Sequence, residues 1–486
     1  MHFHFSIFGL QLQDFANSNS LTKYIIEDKL KNIRSLLHFI ILTLVLISGC
    51  SKNTPVEPLQ NEKQLLTKAW QLTKAYMLQT AGAPIDATSE LSLIYLQFNS
   101  DGTYTSSFQN GKWEYDEPGK KIYFDKGTTA PFTADVKKIT SDSLRIQMYL
   151  PNNGGYSLFE LIFAVNKNLG SKAADVNFEA LWKEFDQRYS FFEIKRINWD
   201  SLHTVYKAKI KSTTTEAELF QILSSLLAEL KDGHADLTTP LGYYSYKDWW
   251  QKYPSNFLGE QATFKYLVKS YPAQAYGNMK FGKLTNDIGY IYVGPNLSGD
   301  VTTWSNAIDL ILDSLKNTKG IVVDIRNNGG GNDNLGMTIA GRFTDQTRIY
   351  SYVRYRNGSK HSDFTDYSER TITPQGKLKY LKHVAFLTNR RSFSSAEGTT
   401  LMFRSIPTVT VIGDTTGGGS ANPITLQLPN GWSYRVARWI QYTADKKVFE
   451  GKGLAPNIPV WISKADSLGG KDAILERAIK FLDTGK

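Results

Sequence analysis

The hydrophobic pattern of this chain changes its period twice, and each change constrains the fold. From about Lys63 to Val165 the apolar residues alternate over short runs separated by turn residues, which is typical of β-strands. From Phe178 to Leu230 they recur at helical spacing instead. From Lys283 onward, strand-like and helix-like runs alternate, which favours an α/β layer architecture. The sequence therefore predicts a multidomain α+β protein.

Turn signals in the first region predict a small antiparallel β-barrel or sandwich. The pairs Asp101-Gly102 and Asn110-Gly111 stand between alternating runs, and such pairs strongly favour tight hairpins. The residues Trp70, Phe98 to Tyr104 (F-x-x-D-G-T-Y) and Gly111 to Trp113 (G-x-W) resemble the lipocalin-like domains of bacterial lipoproteins. The resemblance implies a fold and says little of function, so a spacer or docking role without a ligand is the simpler interpretation.

Near the N-terminus, a basic start and a short apolar run are typical of a signal peptide. Lys29, Lys31 and Arg34 precede the apolar residues 36–47, and the run ends in Ile47-Ser48-Gly49-Cys50. The run is too short for a stable membrane span, although a plain anchor helix is the alternative. Its last four residues resemble a bacterial lipobox, which implies that the cysteine is lipidated and becomes the mature N-terminus.

The expected location follows from this leader. We expect a lipoprotein of the cell envelope, anchored in the outer membrane through Cys50. Residues Ser51 to Thr54 lack the acidic cluster of some surface-export signals, which favours the periplasmic face. The residues before Lys29 are too polar and too many for a normal leader, so the true start codon stays open.

Composition excludes several kinds of chemistry. The 486 residues carry a net charge of +10 that is spread along the chain, and the sequence contains no recognisable nucleic-acid module. The single cysteine, Cys50, excludes internal disulfides, a cysteine nucleophile in the folded body and a cysteine zinc cluster. No H-E-x-x-H motif occurs. We therefore expect neither a cofactor nor a metal, and the oligomeric state stays open.

The segment from Asn389 to Gly398 has the pattern of a catalytic serine. The predicted strand Val384–Thr388 runs into it, and a helical pattern to about Arg404 follows. A serine at a sharp strand-to-helix junction exposes its hydroxyl at the positive end of the helix dipole, as a nucleophile requires. Serines are also ordinary helix caps, so Ser394 needs support from the rest of the chain.

A serine nucleophile needs a general base, and histidine is the usual one near neutral pH. Of the seven histidines, His234 follows the last predicted helix of the middle region, within Asp232-Gly233-His234. The others lie in the leader, in a helical pattern, in a charged loop and before a strand: His2, His4, His38, His203, His361 and His383. The glycine-rich residues Asn327 to Gly331 would let backbone amides approach an oxyanion closely.

Five motifs in this order resemble the serine peptidase family of C-terminal processing peptidases and the tricorn protease core. They are D-G-H (Asp232 to His234), D-I-R-N-N-G-G-G (Asp324 to Gly331), S-F-S-S-A-E (Ser392 to Glu397), G-D-T-T-G-G-G (Gly413 to Gly419) and E-G-K-G-L-A-P-N-I-P-V (Glu450 to Val460). The resemblance covers roughly Ser171 to the C-terminus and implies a helical bundle followed by a ClpP/crotonase-like catalytic domain. The expected domains are a leader and lipoprotein signal peptide (1–50), a tether (51–62), a lipocalin-like β domain (63–165), the bundle (171–236) and the peptidase core (283–486).

The resemblance implies a Ser–His–Glu triad. Processing peptidases use a lysine base, but the position that aligns with that lysine is Gly419. Tricorn-like members use a histidine and a glutamate, and His234 and Glu450 match those places. Ser394 would then be the nucleophile, His234 the general base and acid, and Glu450 the carboxylate that orients the imidazole. With His234 as base, the rate is expected to fall as the pH drops through about 6.5.

Backbone amides would complete the implied site. The Ser395 amide and that of Gly329 or Gly330 would form the oxyanion hole. The tricorn core has a serine just before its histidine, where Gly233 stands here, so a fourth catalytic residue stays open. Three further charges beside the site are interpreted as structural: Asp324, Arg326 and Glu397.

The predicted function is that of a serine endopeptidase that hydrolyses peptide bonds of envelope proteins or peptides through an acyl-enzyme. The span between Leu237 and Lys283 is too short for the PDZ module of processing peptidases, so recognition of a substrate C-terminus is not supported. The alternative is a non-catalytic ligand- or peptide-binding envelope lipoprotein, since interphotoreceptor retinoid-binding proteins resemble the same family and act as carriers. An envelope scaffold that binds polysaccharide or peptide through the barrel is a third interpretation.

Overall fold

The structure, a computed structural model, describes residues 62–86, 91, 94–106, 110–128, 131–152, 155–270 and 278–486. The chain divides into two compact units, Met1–Ser171 and Lys172–Lys486. The predicted leader, Cys50 and the tether up to residue 61 lie outside the described residues. Within the described part, no helix is both long enough and apolar enough to cross a membrane.

An eight-stranded closed barrel forms the first unit. After helix α1 (Glu62–Leu66) come the strands β1 (Ala69–Leu78), β2 (Ile85–Asp86), β3 (Tyr95–Phe98), β4 (Thr103–Ser106), β5 (Asn110–Asp116), β6 (Lys121–Phe124), β7 (Phe132–Ile139), β8 (Ser143–Asn152) and β9 (Gly155–Val165). Each strand from β3 to β9 pairs antiparallel with its neighbour, and β1 closes the barrel by pairing with both β3 and β9. The short β2 is added to the edge of β1.

Aromatic side chains fill the barrel because alternate residues of each strand point inward. Phe124 stacks on Phe132 with 4.4 Å between the ring centroids, and Trp113 lies 4.8 Å from Phe98. Trp70 is fully buried and donates from Nε1 to the Leu66 carbonyl, which ties α1 to the barrel. The expected β-barrel in the N-terminal region is confirmed, whereas its likeness to lipocalins stays a prediction.

Helices and strands are interspersed along the second unit. Its helices are α2 (Ala174–Arg188), α3 (Phe192–Lys195), α4 (Trp199–Lys207), α5 (Glu216–Ala228), α6 (Asp248–Gln251), α7 (Glu260–Phe264), α8 (Val301–Leu315), α9 (Asp333–Ala340), α10 (Ser395–Arg404), α11 (Lys464–Leu468) and α12 (Ala473–Thr484). Helices α2, α4 and α5 pack on one another through the apolar stripes that the sequence shows. Whether these helices form a separate bundle domain stays a prediction.

Fourteen strands of the second unit form three sheets within the described residues. They are β10 (Asp236–Thr239), β11 (Gly242–Ser245), β12 (Lys269–Ser270), β13 (Met279–Leu284), β14 (Ile288–Val293), β15 (Ile321–Asp324), β16 (Arg348–Tyr355), β17 (Ser368–Ile372), β18 (Val384–Thr388), β19 (Val409–Gly413), β20 (Pro423–Gln427), β21 (Ser433–Ala437), β22 (Trp439–Thr443) and β23 (Ile458–Pro459). The largest sheet has the order β12-β13-β14-β15-β18-β19-β23 and is parallel from β14 to β23. Two smaller sheets have the orders β11-β10-β21-β20 and β17-β16-β22.

The large sheet separates two apolar cores. Alternate residues of its central strands face opposite sides, so that Ile321 and Val323 join one core and Val322 joins the other. Helices α8, α9 and α10 cover the first face, and α12 covers the second. Strands buried on both faces read as continuous apolar runs, as Ile321–Asp324 does. The expected multidomain α+β organisation is confirmed.

The carboxyl ends of β15 and β18 position the candidate site. These two strands are parallel neighbours, with Asp324 opposite Leu387. The loop after β15 and the turn after β18 therefore leave the sheet side by side at the same edge. In open α/β sheets, ligands bind at this edge.

Candidate active site

Ser394 occupies a strained position between β18 and α10. Its φ is 57° and its ψ is −126°, a conformation that side-chain-bearing residues rarely adopt. Such a residue costs on the order of 1–3 kcal/mol and persists only where the surroundings hold it. The side chain is partly exposed, directly before the first residue of α10. The predicted strand-to-helix turn therefore exists and presents this hydroxyl at the N-terminus of a helix.

The loop after β15 holds that turn in place. The Phe393 amide donates to the Asn328 carbonyl at 3.0 Å, and the Ser392 hydroxyl donates to the Ile325 carbonyl at 3.0 Å. Asn389 accepts from the Asn327 amide at 2.9 Å through Oδ1. These bonds fix the backbone on both sides of the loop, and the strained serine is thereby fixed as well.

The proposed oxyanion donors differ in their present partners. The Gly329 amide donates to the Pro295 carbonyl at 2.9 Å, and the Gly330 amide donates to Asn328 Oδ1 at 2.9 Å. The Ser395 amide makes no hydrogen bond within the described part of the chain. In this conformation Ser395 is the available donor, and either glycine would have to exchange its partner to contribute.

Glu397 connects the nucleophile turn to a second glycine loop. This fully buried carboxylate accepts from the Ser394 amide at 3.2 Å, from the Gly418 amide at 2.7 Å and from the Gly419 amide at 2.7 Å. It also accepts from the Thr416 hydroxyl at 2.5 Å. Burial raises the pKa of Glu397 to about 7. The side chain, interpreted from the sequence as structural, thus contacts the backbone of Ser394 itself.

His234 is buried against one aromatic ring. Its imidazole stacks on Phe393 with 4.6 Å between centroids and 18° between planes. The Asp232 carboxylate accepts from the His234 amide at 2.8 Å and lies 4.0 Å from its Nδ1. Nδ1 itself is buried and makes no hydrogen bond among the described residues. Burial lowers the pKa of His234 to about 4, so the ring is neutral at pH 7.

Glu450 is bound by two groups other than the imidazole. Its Oε2 accepts from the Ser420 amide at 2.8 Å and from the Ser420 hydroxyl at 2.9 Å. Its Oε1 lies 3.1 Å from Nζ of Lys195, whose side chain is only 13% exposed. The structure therefore brings Glu450 to the residue that follows Gly419, and Gly419 lies against His234, but it shows no hydrogen bond between the carboxylate and the ring.

Gly419 explains why a lysine does not stand at this position. A Cβ atom there would lie 2.1 Å from Cε2 of Phe393 and 2.8 Å from Cε1 of His234. Both distances are far below van der Waals contact. The imidazole and the phenyl ring therefore occupy the space into which a side chain at position 419 would project.

The remaining charges beside the site are structural. Arg326 is fully buried and forms ion pairs with Asp324 at 2.6 Å and Asp472 at 2.9 Å. These bonds link the end of β15 to the start of α12, away from the serine turn. Within the described ranges, no cluster of three or more His, Cys, Asp or Glu residues could hold a metal ion.

Sequence reasoning missed three residues that contact the site. Lys195 carried no signal because its partner, Glu450, is remote in the chain. Trp249 and Arg390 were assigned no part in the site, yet Arg390 donates from Nε to the Trp249 carbonyl at 2.7 Å. The dense aromatic run from Tyr243 to Trp250 was the available signal, since it fills the span where a PDZ module is absent.

Ser394 lies on a strained strand-to-helix turn, and the buried, neutral His234 packs against the preceding residue, Phe393. These features are typical of a serine-type hydrolase. The sequence matches peptidase family S41 over residues 287–460 and the tricorn protease C1 domain over residues 172–228. Ser394 and Glu450 lie within the first range, and His234 lies between the two. The chain belongs to peptidase family S41, a family of serine-type peptidases.

Two relatives support this assignment. A crystal structure of a candidate peptidase from Parabacteroides merdae ATCC 43184 is 35% identical, has a TM-score of 0.60 and aligns with 65% of this chain and 98% of its own. The carboxy-terminal processing protease CtpA of Bacillus subtilis (strain 168) is 29% identical over 204 residues, which are 41% of this chain and 40% of that protein. The chain therefore spans about two fifths of the length of this curated relative.

Proposed function

We propose that this protein is a serine endopeptidase that hydrolyses peptide bonds through an acyl-enzyme. Ser394 is the nucleophile, His234 the general base and acid, and Glu450 the carboxylate that stabilises the imidazolium. The observation that carries the proposal is the position of Ser394, strained and partly exposed at the N-terminus of α10 in the core of an S41 peptidase. Peptides and proteins of the cell envelope are the proposed substrates.

The proposed reaction has two halves. Neutral His234 accepts the hydroxyl proton as Ser394 Oγ attacks the scissile carbonyl, and the Ser395 amide donates to the oxyanion. The imidazolium then protonates the leaving amine as the C–N bond breaks. Water then gives a proton to His234 as it attacks the acyl ester. The bond between the acyl carbon and Ser394 Oγ breaks, the carboxylic acid product leaves, and the imidazolium returns its proton to Ser394 Oγ. A single oxyanion donor contributes roughly 3 kcal/mol to such a step.

Glu450 has an electrostatic role in this scheme. Imidazolium formation places a positive charge in a buried site, and a nearby carboxylate offsets its cost. The carboxylate lies behind Ser420, which binds it with both its amide and its hydroxyl. Burial raises the pKa of Glu450, an effect that the positive charge of Lys195 opposes. The ion pair with Lys195 thus favours the charged form that the role requires.

The test is covalent labelling of the serine. The full chain and its Ser394→Ala variant are treated with a fluorophosphonate probe and, separately, with a mixed-peptide pool. We expect one adduct on the peptide that contains Ser394, together with peptide cleavage, and neither in the variant. Ser395→Ala is the matched control, because its hydroxyl is bonded to the Gly331 carbonyl at 2.6 Å and its amide persists in alanine.

Labelling of Ser394→Ala at the wild-type rate would refute the assignment of the nucleophile. A second candidate function follows if no variant reacts, namely a non-catalytic ligand- or peptide-binding protein on the same fold. One observation favours it: the Gly329 and Gly330 amides both donate to protein acceptors, and Nδ1 of His234 lacks a hydrogen bond within the described structure. A site in this state completes its geometry only after rearrangement.

We also propose that Cys50 is lipidated and anchors the protein in the outer membrane, with the periplasmic face favoured. The lipobox-like Ile47-Ser48-Gly49-Cys50 supports this. Labelled palmitate should enter the wild-type protein and not Cys50→Ser, and the variant should fractionate with soluble proteins. A variant that remained in the membrane fraction would contradict the proposal.

A further inference from the structure

We propose that Trp249 and Phe393 are positioning residues that hold the imidazole of His234 by ring stacking, in the role that a hydrogen-bonded carboxylate fills in an ordinary triad. The inference rests on the proposed function, because it assigns these residues to the general base. It concerns the span that replaces the PDZ module, which neither the triad nor the family match assigns to any task.

Three rings lie in one stack. Phe393 stacks on His234 at 4.6 Å and 18°, and Trp249 stacks on the same phenyl ring at 3.9 Å and 17°. Phe393 immediately precedes the nucleophile, so the ring that contacts the base is covalently continuous with Ser394. A stack of this kind fixes the plane of the imidazole, because parallel aromatic rings at this distance attract each other beyond the effect of burial.

Three glycines leave room for the stack. A Cβ atom at Gly233 would lie 2.6 Å from Nε1 of Trp249, and one at Gly417 would lie 2.5 Å from Cδ2 of Phe393. Gly419 contacts the stack from the same loop. The two loops that surround the rings are therefore built without side chains where they face the stack. This also accounts for Gly233 in the place where the tricorn core has a serine.

Arg390 anchors Trp249 to both active-site loops. Its Nε donates to the Trp249 carbonyl at 2.7 Å, and its Nη1 donates to the Thr416 carbonyl at 3.0 Å. The guanidinium also lies over Tyr253, 4.0 Å from the ring centroid. Arg390 is 7% exposed. The backbone that carries the third ring is therefore fixed to the turn that carries Ser394.

The ring stack fixes the plane of the His234 imidazole, which within the described residues no hydrogen bond to its Nδ1 does. Nδ1 of His234 is buried and makes no hydrogen bond in the described structure, so no carboxylate fixes the ring plane. Four charged residues face the imidazole. Asp232 lies on the same loop as His234, whereas the others come from elsewhere in the fold: Lys195 on α3, Arg435 on β21 and, behind Ser420, Glu450. None of them contacts Trp249 through a hydrogen bond or ion pair given for the described residues, so replacing the indole leaves these charges in place.

Substitution of Trp249 in the full chain tests the proposal, with Trp250 as matched control. Trp250 is adjacent on α6 but stacks under Arg391 at 3.7 Å instead of on Phe393. We expect Trp249→Leu to lower kcat and the rate of fluorophosphonate labelling about tenfold or more, with little change in KM, because a small misplacement of a catalytic group is costly. Trp249→Phe, which keeps an aromatic face, should restore most of the rate, and Trp250→Leu should match the wild type.

The pH profile provides a second readout, because it reports the protonation of His234 and does not depend on how much of the enzyme is folded. Trp249→Leu removes the ring that supports Phe393, so Phe393 should cover the imidazole less well and the pKa of His234 should rise from about 4 towards its ordinary value of about 6.5. The midpoint of the acidic limb of the kcat/KM profile should move to higher pH with it. In Trp249→Phe this midpoint should lie near the wild-type value. Phe393→Leu is the second variant and should shift the limb in the same direction.

The outcomes separate this inference from the proposed function. Wild-type labelling rate and an unmoved limb in both Trp249→Leu and Phe393→Leu would overturn the stacking role while Ser394 chemistry stands. Equal losses in Trp249→Leu and Trp250→Leu would overturn it as well, since only one of the two rings is in the stack. Absence of labelling in the wild type would instead refute the proposed function.

Discussion

Glu397 is a buried carboxylate whose hydrogen-bond donors are all uncharged. Three of them are backbone amides, of Ser394, Gly418 and Gly419. Burial raises its pKa to about 7 from an ordinary value near 4.5, and the negative charge of Glu450 contributes in the same direction. The folded state therefore binds this proton more tightly than the unfolded state does, and stability falls as the pH rises between these two values.

We predict that Glu397→Gln removes this pH dependence. The carboxyl of the wild type contributes stability that is fully present below about pH 4.5 and is lost by about pH 7, a loss on the order of 3 kcal/mol. The free energy of unfolding, measured with denaturant at pH 4.5 and pH 8, should fall more steeply in the wild type than in the variant. Identical differences between the two pH values in both proteins would show that Glu397 does not titrate in this range.

Residue-level prediction succeeded where the chemistry is local. The turn of Ser394 follows from a strand, a serine and a helix that are contiguous in the chain. From the ordinary pKa of histidine, the sequence predicted that the rate falls below about pH 6.5. Burial in the structure lowers the pKa of His234 to about 4. Phe393, which packs on the imidazole, is remote from His234 in sequence and could not be placed against it by any periodicity.

Among the elements, the loop after β15 is the one that shapes the nucleophile turn. Gly330 has a φ of +95°, and a Cβ atom there would lie 2.7 Å from Cβ of Ser394 and 2.8 Å from the Ser395 amide. Gly329 has an ordinary φ, and its nearest neighbour to a Cβ atom would be the Pro295 carbonyl at 3.9 Å. Gly329 therefore has room for a Cβ atom, whereas Gly330 does not.

We predict opposite outcomes for alanine at these two positions. Gly330→Ala should reduce fluorophosphonate labelling of Ser394 at least about tenfold, since it strains the backbone by about 1–3 kcal/mol and displaces the turn. Gly329→Ala should stay within about twofold of the wild type, because alanine keeps the amide and meets no close contact. Equal rates for both variants would mean that the loop does not constrain the serine.

The sequence predicted this loop as a glycine-rich source of amides, and it could not predict their partners. Pro295, which accepts from Gly329, belongs to the connection after β14, and its approach depends on the register of the parallel sheet. A glycine in such a loop indicates that the backbone approaches another group closely. The sequence does not identify that group, and because both amides already have protein acceptors, the choice between Gly329 and Gly330 as the second oxyanion donor stays open.

At the scale of the whole molecule, the barrel and the peptidase core are separate compact units. The turn signals at Asp101-Gly102 and Asn110-Gly111 predicted consecutive hairpins. They could not predict closure, because β1 and β9 pair across the full length of the barrel. The aromatic side chains that fill its interior, among them Phe98, Phe124 and Phe163, favour a docking role over carriage of a ligand.

We predict that removing residues 63–165 leaves turnover of a short peptide unchanged. The residues of the proposed triad and the stacked rings all belong to the second unit. The kcat and KM for one fluorogenic peptide, compared with and without the barrel, give the measurement. A fall in kcat with an unchanged melting temperature of the second unit would assign the barrel a part in catalysis.

The crowding at Gly419 has an evolutionary consequence. A side chain at this position and an imidazole at position 234 compete for one space, so a sequence can keep one arrangement of the base or the other and not both. A lysine introduced at 419 would displace His234 and Phe393, and loss of the histidine alone would remove the proposed base. Descent from one type of base to the other therefore requires coordinated replacements, and a lineage that makes them singly passes through an inactive ancestor.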